Sequence, residues 1–110
     1  MTIKYGKLIR DNIPDIIKSQ GKIPVTKVLS DDEYKHFLGK KLLEEVHEYL
    51  EDNCIEEFCD ILEVMDAIKK NMNFTNAEIK SAQSAKTLKN GRFEKKLFLE
   101  EVVETNTTIC

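Results

Sequence analysis

Glu44-Glu45-Val46-His47-Glu48 and Glu57-Phe58-Cys59-Asp60 constrain this chain more than any other stretch. On helices, Glu45 and Glu48 are three residues apart, as are Glu57 and Asp60, so each pair projects from one face. The link between them, Glu51-Asp52-Asn53-Cys54, is short and polar. It predicts an antiparallel helical hairpin that sets one pair opposite the other. Four carboxylates aimed at one another repel unless a cation lies between them, and oxygen-only ligands suit Mg²⁺ or Mn²⁺.

Position relative to the apolar stripes sharpens this reading. At roughly 100° per residue, Tyr34, Leu38, Leu42 and Tyr49 share one stripe, with Glu45 in its middle. Ile61, Val64 and Ile68 form the stripe of the following helix, and Glu57 lies on the same line. Glu48 and Asp60 sit one step to the side. Burying an ionised carboxylate without a partner costs several kcal/mol, about the stability of a small domain. Spacing alone leaves two explanations open. The four acids are either solvated charges on Glu-rich helices, as Glu51, Asp52, Glu56 and Glu63 are read, or the walls of a metal cleft. Lys41 lies near the same face and can neutralise one acid without metal.

The remaining pattern predicts a mainly α fold, a bundle of about four helices with a small two-stranded accessory sheet. The 110 residues suit one domain over 1–103 and a polar, frayed tail over 104–110. Asp11 or Asn12 starts a short helix that tolerates Pro14 in its first turn and stops at Gly21. Pro24 to Leu29 reads as a strand, as does Phe93 to Val103, and the two are expected to pair. Ser30-Asp31-Asp32-Glu33 is a capping box that opens a helix to about Glu51. Asn53 is expected to cap the next helix, to about Asn71. Thr75-Asn76-Ala77-Glu78 is a second capping box, with its helix ending near Asn90-Gly91.

Net charge is −3, so no nucleic-acid polymer is called for as partner. No apolar run is long enough to span a membrane, and no secretory leader is visible. Cys54, Cys59 and Cys110 form no C-x-x-C pair, which argues against a zinc–thiolate site and for reduced thiols in a cytoplasmic setting. In that setting the glycosylation patterns at Asn73 and Asn106 are coincidental. Glu33-x-x-His36 and Glu44-x-x-His47 match the E-x-x-H of di-iron bundles. Both copies lie on one helix, roughly 16 Å apart at helical rise, so they cannot share one centre. Both histidines are read as surface or boundary residues.

The E-E-x-x-E and E-x-x-D arrangement resembles that of the all-α, MazG-like nucleoside triphosphate pyrophosphohydrolases, a superfamily that includes phosphoribosyl-ATP pyrophosphatase. Lys7-Leu8-Ile9-Arg10-Asp11-Asn12-Ile13-Pro14, Pro24-Val25-Thr26-Lys27-Val28-Leu29 and Asn90-Gly91-Arg92-Phe93-Glu94-Lys95 resemble segments of one branch. That branch is the house-cleaning pyrophosphatases of non-standard nucleotides. The resemblance implies that Glu45, Glu48, Glu57 and Asp60 ligate Mg²⁺ (or Mn²⁺) and that Glu44 orients water. It implies attack at the α-phosphorus of a nucleoside triphosphate, releasing pyrophosphate and a monophosphate. Arg10, Lys89 and Arg92 are the candidate phosphate contacts, with Lys7 and Lys86 behind them. The gap between Glu48 and Glu57 is shorter than in the superfamily at large, so base recognition is not carried over. Superfamily members often complete their sites from a second subunit, which leaves a homodimer open, although no decisive interface stripe stands out. Two rivals remain: a helical module that binds a nucleotide or partner without turnover, and a redox-metal bundle, which the histidine spacing disfavours.

Overall fold

A computed structural model describes residues 1–105. The tail expected over 104–110 lies outside those residues from Asn106 onward, as do Asn106 and Cys110 themselves. The described residues fall into two compact units, the first Met1–Phe74 and the second starting at Thr75. The first carries α1 (Ile13–Ser19), α2 (Asp31–Glu51) and α3 (Ile55–Asn71); the second carries α4 (Asn76–Asn90). The fold is mainly helical.

Local chemistry sets the helix ends. Pro14 sits in the first turn of α1, where its missing N–H costs nothing. Ser30 Oγ accepts from the Glu33 N–H at 3.3 Å, and Glu33 Oε1 accepts from the Ser30 N–H at 3.2 Å, so the capping box of α2 is closed in both directions. Thr75 and Glu78 do the same for α4, each bond 3.1 Å. After α3, Asn73 adopts a left-handed φ of 58° and the Phe74 N–H reaches back to the Lys69 carbonyl at 3.0 Å, a Schellman-type stop. Gly91, at φ 81°, ends α4 where a Cβ would be strained.

One expected cap is different. Asn53 Nδ2 donates to the Tyr49 carbonyl at 2.5 Å, so its side chain closes the end of α2. Cys54 takes the position before α3 without a side-chain cap. With three residues in the link, α3 must turn back along α2, and these two helices form the packed pair of the first unit. Leu38 and Val64 are buried at their contact. Tyr34, Leu42, Tyr49, Ile61 and Ile68 are half-buried around them.

The accessory sheet is not formed; no strand occurs among the described residues. Val25 and Val28 are 95% and 99% exposed, and Leu97 and Leu99 are 86% and 76% exposed. Neither segment has a covered apolar face, and an isolated pair of strands is marginal in water without one. β-branched residues between turn formers show that a segment can be extended, not that it has a partner.

Candidate metal centre

The hairpin turns the two acidic pairs toward each other. One carboxylate oxygen from each of Glu45, Glu48, Glu57 and Asp60 can be chosen so that all four lie within 4.8 Å of one another. Glu45 and Glu48 come from adjacent turns of α2, and Glu57 and Asp60 from the first two turns of α3. Each i, i+3 pair lines up along its own helix, and the antiparallel crossing supplies the second pair.

Glu45 is the anchor. It is only 6% exposed, and its Oε2 has no hydrogen-bond partner. Glu57 Oε2 is likewise buried and unpartnered. Burial pushes the Glu45 carboxyl up from its ordinary value and the neighbouring Glu48 carboxyl adds to this; Lys41 opposes both without cancelling them. Two orphaned acceptor oxygens in a patch of four acids form a local deficit of positive charge.

Three cations approach the cluster without filling it. Lys41 Nζ, 18% exposed, bridges Glu44 Oε2 at 2.9 Å and Glu45 Oε1 at 3.1 Å. Lys7 Nζ reaches Glu44 Oε1 at 2.9 Å from the N-terminal segment. Arg10 Nη2 donates to Asp60 Oδ1 at 2.6 Å. Both oxygens of Glu44 are therefore held by ammonium groups. Burial alone would raise the Glu44 carboxyl, but Lys41 and Lys7 outweigh it and pull it below the ordinary range. Desolvation likewise acts to lower the Lys41 ammonium, and its bonds to Glu44 and Glu45 reverse the sign and raise it. Five carboxylates (Glu44, Glu45, Glu48, Glu57, Asp60) face three cations (Lys7, Arg10, Lys41), a surplus of two negative charges.

No protein-family model matches this chain, and no solved structure matches it. A protein of Mycolicibacterium smegmatis (strain ATCC 700084 / mc(2)155), described as an uncharacterized protein, is 52% identical over 43 residues. That stretch is 39% of this chain and 44% of the relative, so the match spans less than half of either protein.

The donor set suits a hard divalent cation. Each of the four residues offers a carboxylate oxygen, and two carboxylate oxygens of these residues, Glu45 Oε2 and Glu57 Oε2, have no hydrogen-bond partner. Opposite ligands of Mg²⁺ lie about 4.2 Å apart, close to the spread of the cluster. Glu44 does not belong to the four; it sits behind them, clamped between two lysines. Arg10 is at the cluster through Asp60, and Lys7, ranked behind it by sequence, is tied to Glu44. Their spacing of three residues in one segment was the available signal. Lys89, in the last turn of α4, and Arg92, just past Gly91, are exposed residues of the second unit. His36 and His47 are exposed. A depression of about 400 Å³ lined by Tyr34, Glu63, Asp66, Ala67, Lys70 and Asn71 lies toward the open end of the hairpin. Tyr34 is eleven residues of α2 before Glu45, roughly 16 Å of helix, so this hollow is separate from the carboxylates.

Proposed function

We propose that this chain is a Mg²⁺-dependent nucleoside triphosphate pyrophosphohydrolase of the MazG-like kind, acting on a non-standard nucleotide and releasing a monophosphate and pyrophosphate. The observation that supports it most is the buried pair of unpartnered oxygens, Glu45 Oε2 and Glu57 Oε2, within a four-carboxylate cluster. Glu45, Glu48, Glu57 and Asp60 would hold the metal. Bound there, Mg²⁺ supplies charge neutralisation for the phosphates and a lowered pKa for water. Arg10, which contacts Asp60, would exchange that contact for a phosphate oxygen and so orient the triphosphate. Glu44 stays ionised between Lys7 and Lys41, which suits it to fix the direction of a water rather than to take up a proton. Lys89 and Arg92 remain candidates for phosphate contact on the resemblance alone.

The test is a panel of standard and modified nucleoside triphosphates assayed for pyrophosphate, with and without Mg²⁺ and Mn²⁺. Glu45→Ala and Glu57→Ala are expected to abolish release while the far-UV circular dichroism stays helical. Near-normal turnover in either variant would falsify the ligand assignment. A thermal shift with nucleotide but no pyrophosphate would point instead to a binding module without turnover.

A further inference from the structure

We infer that the N-terminal segment 7–10 is a brace at one end and a latch at the other: Lys7 stays on Glu44, while Arg10 lets go of Asp60 when a divalent cation takes up that carboxylate. This rests on the reading of Glu45, Glu48, Glu57 and Asp60 as a metal centre. It adds what drives the exchange at Arg10, namely the cation, before any phosphate arrives.

Two ion pairs tie the segment to the two helices of the hairpin. Lys7 Nζ meets Glu44 of α2 at 2.9 Å, and Arg10 Nη2 meets Asp60 of α3 at 2.6 Å. Both pairs belong to the first unit. The backbone is held on either side of Arg10. Leu8 and Ile9 are half-buried before it. After it, the N–H of Ile13, the first residue of α1, donates to the Arg10 carbonyl at 3.1 Å. Ahead of Lys7 the chain turns at Gly6, whose left-handed φ of 57° would strain a side chain. A change at Arg10 therefore needs only a swing of its long side chain, with the segment left in place.

The two ends differ in what holds them. Glu44 is outside the four-acid cluster, and its second oxygen accepts from Lys41 Nζ at 2.9 Å. Lys41 goes on to Glu45 at 3.1 Å, so Lys7 is the first link of a chain through Glu44 and Lys41 to a buried ligand residue. A cation among the four acids leaves Lys7 with the same partner. Asp60 is one of the four. Among the described residues it is the one ion-pair partner of Arg10, met through one nitrogen, and the two side chains are 55% and 37% exposed. A single exposed pair is weak, whereas a divalent ion draws on several carboxylates at once. A guanidinium and a divalent ion on one carboxylate also repel each other. Glu45 Oε2, on a side chain only 6% exposed, has no partner that Arg10 supplies, so the ion gains a ligand that the latch leaves unsatisfied. The ion takes Asp60, and the displaced guanidinium stays tethered beside the cluster, ready for an anionic group of the bound ligand.

Titration of the full chain with Mg²⁺ alone, followed by calorimetry and by NMR of the arginine side-chain nitrogens, tests this without turnover. Arg10 and Arg92 are the two arginines, so the signal missing from Arg10→Ala identifies Arg10. That signal should move to the position of a solvated guanidinium as Mg²⁺ saturates the protein. Arg10→Ala should tighten Mg²⁺ binding by about twofold to fivefold, the worth of one exposed pair. Lys7→Met should change it less. If Arg10 instead supports Asp60 as an outer partner of the metal, Arg10→Ala will weaken Mg²⁺ binding by about 10–100-fold, and the inference is overturned. An Arg10 signal that stays in place at saturating Mg²⁺ overturns it even if Arg10→Ala binds more tightly, because the gain is then repulsion relieved at a distance. A Lys7→Met effect as large as that of Arg10→Ala overturns the division between brace and latch. A wild type that shows neither heat nor stabilisation with Mg²⁺ removes the metal centre itself, whereas Mg²⁺ binding with Arg10 still on Asp60 removes the latch alone.

Discussion

The two sides of the α2–α3 hairpin use the same helices and end up opposite in character. On one, charged groups are drawn partly out of water and tied across the sequence: Lys7 to Glu44 and Arg10 to Asp60. On the other, apolar groups that belong in a core stand in solvent, Phe58 and Leu62 among them. Each side is incomplete in its own way. The first lacks positive charge for the orphaned oxygens of Glu45 and Glu57, and the second lacks apolar surface to cover it. A bound cation would satisfy the first and added apolar contact the second, so the two should respond to different perturbations.

Glu45→Gln and Glu57→Gln break that comparison most strongly. Each keeps side-chain shape and removes one charge from the cluster. Even a residue that only supports a metal ligand costs 10–100-fold in affinity, so losing a ligand should lower Mg²⁺ affinity by more than ~100-fold. In the wild type, Mg²⁺ at a hundred times its dissociation constant should add about 2.7 kcal/mol of stability, and chelation should remove it. Both Gln variants should lose this gain; in chelator Glu57→Gln should be no less stable than wild type, because like-charge repulsion at the cluster falls, whereas Glu45→Gln also weakens the pair with Lys41. Calorimetry of the melt with and without Mg²⁺ checks both halves. A variant that keeps the full Mg²⁺ shift places the cation elsewhere.

Lys41→Met acts on the same side with the opposite sign. It strips a half-buried cation from Glu44 and Glu45, leaving acceptors unpaired, at a cost of about 1–3 kcal/mol without metal. The Mg²⁺-induced shift should then be larger than in wild type, since the metal meets more uncompensated charge. An unchanged shift would mean that Lys41 and the metal do not share the cluster. Arg10→Ala should be milder. The pair with Asp60 is substantially exposed, so stability should move by no more than about 1 kcal/mol. If Arg10 grips the phosphates, KM for the nucleotide should rise several-fold while the Mg²⁺ shift is retained.

The sequence made some of this legible and hid the rest for identifiable reasons. The capping boxes at Ser30 and Thr75 close as read because their bonds span three residues and need nothing distant. The convergence of Glu45, Glu48, Glu57 and Asp60 was readable because helical spacing fixes each pair and a short link fixes the crossing. The expected pairing of 24–29 with 93–103 failed because strand pairing is non-local, and propensity names no partner. The stripe Ile55, Phe58, Leu62, Met65 was present as a pattern. It competes with Ile61, Val64, Ile68 on the same helix, and periodicity does not say which one meets α2. The clamp on Glu44 from both Lys7 and Lys41 depends on where the N-terminal segment lies, which no local pattern reports.

The smallest expected effect separates the hairpin from α4. Ser30→Ala opens the cap of the helix that bears both sides and should cost about 1 kcal/mol of the first unit's stability. Thr75→Ala opens the equivalent cap on α4 and should reduce helicity without altering the Mg²⁺ shift. Acid titrates the other half of both boxes. The backbone N–H and then the hydroxyl of Ser30 hold the Glu33 carboxyl below its ordinary value, and the same groups of Thr75 hold Glu78. A carboxyl depressed in the folded state stabilises fully above its unfolded pKa and loses that contribution as pH falls through the lower folded one. Both caps should therefore hold at neutral pH and open only below the ordinary carboxylate range. Side-chain carbon chemical shifts of Glu33 and Glu78, followed through an acid titration, read each cap separately. Both carboxyls should titrate low in the wild type, and Thr75→Ala, which removes the hydroxyl but keeps the backbone N–H, should move Glu78 alone part of the way back toward its ordinary value. If Glu33 moves with it, the two caps are coupled and the helicity of α4 is not a local property.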